Sequence, residues 1–142
     1  MSGSYFQNAI KSGDGFSETA TGVGTAVLSQ TAVIDFNATL TSQATFVLPV
    51  GAQIVDAKFD TLTAFNSATS ATGTLGSASA GTQYAGAVDA KTAGRATPTF
   101  SAAQLATMDG IGSNTTVYAT ITSVGQPTAG QVRVTVFYVP TV

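Results

Sequence analysis

Three stretches of the sequence alternate apolar and polar residues with a period of two, and that period decides what kind of element they build. Across 53–65, Val55, Ala57, Phe59, Thr61, Thr63 and Phe65 take one parity, while Asp56, Lys58 and Asp60 take the other. Across 130–140, Val132, Val134, Val136 and Tyr138 alternate with Arg133, Thr135 and Phe137, and Pro140 ends the run. Across 115–123, Val117, Ala119 and Ile121 alternate with Thr116, Tyr118, Thr120 and Thr122. Successive side chains of a strand point to opposite faces, so each stretch reads as a strand with one buried and one wet face. The enrichment in β-branched and aromatic residues agrees.

Weaker strand signals lie at 25–28, 31–36, 44–48 and 72–77, separated by turn chemistry at Pro49-Val50-Gly51, Asn66-Ser67, Gly81-Thr82, 110–112 and 126–130. Together they make about eight short strands, the pattern of an antiparallel sandwich or barrel. Thr and Gly disfavour helix, and the best helical window is 101–108, with Ser101 as N-cap. A short turn is expected near 84–90. Residues 1–22 read as an irregular N-terminal arm and 23–142 as one β-sandwich domain. The expected fold is thus all-β, an antiparallel β-sandwich. The long irregular connection at 66–100 suits a jelly roll, though periodicity alone does not separate that from an immunoglobulin-like sandwich.

The chain has neither His nor Cys. That removes disulfides, thiol nucleophiles, imidazole proton shuttles and every Cys/His zinc arrangement. The expectation is a protein that is not an enzyme, with no cofactor and no metal. Lys11, Lys58, Lys91, Arg95 and Arg133 are scattered against seven acids for a net charge of −2. Firm nucleic-acid binding draws on roughly six or more phosphate contacts, so no nucleic-acid partner is expected. No leader and no membrane span are expected either, since no run approaches the ~20 apolar residues that crossing requires.

The carboxylates offer little. Asp56 and Asp60 share a strand face, but four residues of strand span ~13 Å, beyond the ~5 to 9.5 Å of paired glycosidase acids. They read as a solvated face with Lys58 between them. Asp35 and Asp109 are unconstrained. Asp14, Asp89 and Asp109 read as turn residues, since no EF-hand spacing is present. Gly22-Val23-Gly24 and Gly110-Ile111-Gly112 lack a dinucleotide fingerprint and read as turns. The glycosylation sequons at Asn37 and Asn114 are expected by chance in so Thr-rich a chain. Tyr5, Tyr84 and Tyr118 are conceivable sugar platforms, whereas Phe36, Phe46, Phe59, Phe65, Phe100 and Phe137 sit in or beside strand patterns and read as core or interface.

Charged residues make up 8% of the chain, whereas a soluble monomer commonly keeps ~25–35% of its surface charged. Interfaces of permanent assemblies are depleted of charge, so a surface this poor in ions reads as one made to be covered by protein.

The segment FVLPVGAQIVDAKFDTLTAF at 46–65 carries a P-x-G-A-x-I turn leading into a long strand. Thr74-Leu75-Gly76, Tyr84 and VYATI at 117–121 follow, and a T-A-G-x-x-x-V-x-V-x-Y hairpin closes the chain at 128–138. Over about residues 44–139 this resembles small structural proteins of tailed bacteriophages. The resemblance implies a jelly-roll decoration or cement protein, often a homotrimer, on the outside of the capsid, bridging subunits of the major capsid protein. It transfers no catalytic residues. The arm, with Tyr5, Phe6, Ile10 and Phe16 as apolar anchors, is the segment expected to reach a neighbour. Alternatives are a tail or head-to-tail virion protein and a carbohydrate- or receptor-binding β-sandwich.

Overall fold

The computed structural model describes residues 26–111 and 115–140. Its elements in chain order are β1 (Leu28–Asp35), β2 (Thr41–Val47), β3 (Gln53–Thr63), β4 (Ser70–Gly76), β5 (Ala85–Asp89), β6 (Gly94–Ala96), α1 (Ala102–Thr107), β7 (Thr116–Val124) and β8 (Gln131–Val139). The strands form two four-stranded sheets, ordered β1-β8-β3-β6 and β2-β7-β4-β5. Every neighbouring pair is antiparallel. Such alternation between sheets, with the last strand lying beside the first, is the double Greek key of a jelly roll. The expected antiparallel sandwich is therefore the observed one, in its jelly-roll form. The expected arm at 1–22 lies outside the described residues.

The three alternating stretches became the sheet centres. Val132, Val134 and Val136 on β8 and Val117, Ala119 and Ile121 on β7 are fully buried. Phe59, Phe65, Leu75, Ile34, Phe46 and Leu48 fill the space between the sheets. At Gly73 the sheets come so close that no side chain fits beside Phe59.

One alternation breaks, with a visible cause. Register on β3 passes from Ile54 opposite Tyr138 to Asp56 opposite Phe137, leaving Val55 as the extra residue of a bulge. Ile54 takes the buried place and Val55 is exposed, contrary to strict alternation from Val55 onward. A second register shift between Thr61 and Thr63 leaves Leu62 and Thr63 exposed before Phe65 returns to the core.

The turn expected at 84–90 is instead the strand β5, and 66–100 carries β4, β5 and the three-residue β6 rather than irregular chain. Ala85 pairs with Leu75, Val88 with Gly73, and Ala96 with Phe59. Pairing with neighbours imposes strand on Ala- and Gly-rich segments of little intrinsic preference. The helix lies where expected. Ser101 Oγ accepts from the Gln104 N–H at 3.2 Å while Gln104 Oε1 accepts from the Ser101 N–H at 2.9 Å, a reciprocal capping box.

Candidate interaction surface

The outer faces of the two sheets differ in charge. On β1-β8-β3-β6 the outward positions include Asp35, Asp56, Lys58, Asp60, Arg95 and Arg133. On β2-β7-β4-β5 they are mostly uncharged: Thr41, Thr122 and Thr72 form a row across three strands, with Gln43, Thr45 and Tyr118 beside it and Asp89 at the β5 edge. The loop at 77–83 reaches over this second face, where the Ala80 N–H donates to Thr120 Oγ1 at 3.0 Å and Thr120 is buried.

The charged face is organised around Asp60. Arg95 on β6 donates to its carboxylate through Nε at 2.6 Å and a terminal nitrogen at 3.1 Å, and Arg133 on β8 donates at 2.9 Å. This is a charge-assisted, forked arrangement. The Asp60 side chain is 10% exposed, against 63% for Arg95 and 43% for Arg133. Hydrogen bonding from Arg95 leads the causes that hold the carboxyl down at about 2, with burial opposing and Arg133 assisting. Asp60 in turn raises Arg95 above its ordinary value. The expectation of a solvated Asp56-Lys58-Asp60 face is thus corrected at Asp60, which lies beneath two guanidiniums. Lys58 pairs with Asp56 at 2.9 Å. Nothing in the sequence revealed the Asp60 cluster, because strand periodicity says which residues face outward but not which strands are neighbours.

Most of the exposed large apolar side chains among the described residues gather at the two ends of the sandwich. Val27, Leu28, Val47, Val50 and Val55 lie where β1 begins and β8 ends, and Phe36, Leu40, Leu62 and Val124 lie at the opposite end. Tyr5, Phe6, Ile10 and Phe16 fall outside the described residues. Tyr84 is buried, which removes it as a sugar platform, while Tyr118 is half-buried on the hydroxyl-rich face. Phe36 is exposed, Phe100 and Phe137 are half-buried, and Phe46, Phe59 and Phe65 are core.

The remaining polar motifs are local structure. Asp89 accepts from the backbone N–H groups of Lys91 and Thr92, and Asn37 accepts from the Thr39 N–H and hydroxyl, so both close turns. Asp35 and Asp109 lie at opposite ends of the sandwich. An open hollow of about 440 Å³ beside α1 is lined by Gly86, Ala87, Thr99, Phe100, Ser101 and Gln104, which bring no titratable group to it. Among the described residues no three metal-ligating side chains come together.

No protein-family model and no curated protein matches the chain. Among solved structures, a chain of the cyanophage Pam1 capsid asymmetric unit is similar in fold. Its TM-score is 0.58 at 24% identity, and the match covers 88% of this chain and 92% of that one.

Proposed function

We propose that the protein is a decoration or cement protein of a tailed bacteriophage, seated on the outside of the head and bridging subunits of the major capsid protein. The observation that carries this reading is the fold likeness, over 88% of the chain, to a chain of a phage capsid asymmetric unit. The sequence motifs at 46–65 and 128–138 and the hydroxyl-rich outer face of β2-β7-β4-β5 support it. Under this reading the protein works by fit, with no catalytic residue and no cofactor. It assembles as a homotrimer, and Tyr5, Phe6, Ile10 and Phe16 anchor the arm on a neighbour. A shell loaded by packaged DNA is held by contacts between subunits, and a rigid oligomer straddling several of them adds burial. Attachment at several points turns weak single contacts into lasting occupancy.

The test uses antibody raised against the purified protein and gold labelling of intact particles of the phage that encodes it. Label over the head surface is the expected result. Label confined to the tail or the neck favours the tail or head-to-tail alternative, and unlabelled particles overturn the virion reading. Light scattering of the purified protein is expected to give three times the 14.2 kDa chain mass.

A further inference from the structure

Both arginines of the chain, Arg95 and Arg133, converge on the single carboxylate of Asp60. One guanidinium already neutralises Asp60, and Arg95 also ties the short β6 to β3. The second guanidinium leaves a positive charge in excess, and among the described residues no other carboxylate pairs with either arginine. The nearest cation on β3, Lys58, is satisfied by Asp56. Charges across the face balance in sum but not in place. Asp35 stands at the β1 edge, one diagonal from Arg133, and accepts from Gln131 at 2.8 Å. The positive excess is centred between β8 and β6.

We propose that Arg95 and Arg133, held side by side by Asp60, are a docking point for a carboxylate side chain on the surface of a partner protein. Asp60 fixes the forks in advance, so little side-chain freedom is left to lose on binding. The Arg95 side chain is 63% exposed and that of Arg133 43% exposed, and both keep N–H groups free of Asp60 to form a second forked pair. Val33, directly across from Arg133, is 49% exposed, so apolar contact adjoins the charges. Arginine is enriched among the residues that carry binding energy at protein interfaces. The inference takes from the reading above only that the chain docks on protein, and its test needs no phage particle.

The test is titration of the ¹⁵N-labelled full chain with poly-L-glutamate, read at the arginine Nε–Hε signals. There are two arginines, so Arg95→Lys and Arg133→Lys assign both signals. Polyglutamate is expected to shift both, the shift is expected to fade as salt is raised, and Arg95→Gln/Arg133→Gln is expected to weaken binding at least tenfold. Unmoved arginine signals overturn the proposal, as does equal movement with inorganic phosphate at matched ionic strength, which would mark a general anion site. If the signals respond only in an Asp14→Asn/Glu18→Gln chain, the pair is occupied by the chain's own acids, and the proposal is likewise overturned. Failure of head labelling with a positive titration would remove the virion reading and leave the docking point standing.

Discussion

The ring of Phe59 occupies the space that a side chain on Gly73 would need: a Cβ on Gly73 would stand 2.7 Å from Phe59 Cε2 and 3.2 Å from Ile121 Cδ1. Phe59 belongs to one sheet and Gly73 to the other, so this contact sets how closely the two layers approach. Protein interiors are packed near the density of organic crystals, and an inserted methyl must push something aside. Gly73→Ala is expected to lower stability by about 1–3 kcal/mol, read as a fall in the urea midpoint. Adding Phe59→Leu should recover part of that loss, because the two residues share one space. Strictly additive losses would show that the contact does not set the spacing.

The Asp60 cluster predicts a pH dependence. The carboxyl is held at about 2 in the folded chain against an ordinary 3.8. A carboxylate lowered on folding stabilises the protein above its unfolded value and loses that contribution as pH falls toward the folded value. Stability should therefore drop between about pH 4 and about pH 2. Asp89, lowered chiefly by its hydrogen bond from Thr92, adds to the same acid loss. Asp60→Asn is expected to be less stable than wild type at pH 6 and to show a shallower decline into acid, measured by thermal melts across the range. An unchanged acid profile would show that the two arginines give Asp60 no net stabilisation.

Thr61 carries a hydroxyl that is buried without a hydrogen-bond partner. It sits on β3 at an inward position, opposite Val132 on β8 and Gly94 on β6. A buried polar group left unpaired costs roughly 1–3 kcal/mol, and Val has nearly the same shape. Thr61→Val is expected to raise stability by about 1 kcal/mol, the low end of that range, read as a higher denaturation midpoint. A loss of stability would mean that the hydroxyl is satisfied in solution.

These contrasts mark what was legible before the structure. Val132, Val134 and Val136 could be placed inward from period alone, because a central strand with one buried face has no freedom to shift by a residue. Ser101 was readable as a cap because its partner Gln104 is local in sequence. Val55 was not, since a bulge depends on the strand opposite. β5 (AGAVD) and β6 (GRA) are too short and too rich in Ala and Gly to show a period, and their strand state comes from Leu75, Gly73 and Phe59 across the ladder. The Asp60 cluster draws on β3, β6 and β8, and only the pairing of those strands brings Arg95 and Arg133 to one carboxylate.

The arm proposal predicts a separation of folding from assembly. Among the described residues the strands from Leu28 to Val139 make up both sheets, and the core residues belong to that span. Deleting residues 2–16, which removes Tyr5, Phe6, Ile10 and Phe16, should therefore leave the far-ultraviolet dichroism and the urea midpoint of the β-domain close to those of the full chain. Multivalent attachment, by contrast, falls steeply when one of its contacts is removed, since each contact raises the effective concentration at the next. The shortened chain is expected to sediment as a smaller species or to compete poorly with the full chain for heads lacking the protein. Equal mass and equal occupancy would place the binding energy on the sandwich itself, at the exposed aliphatic ends and the sheet faces.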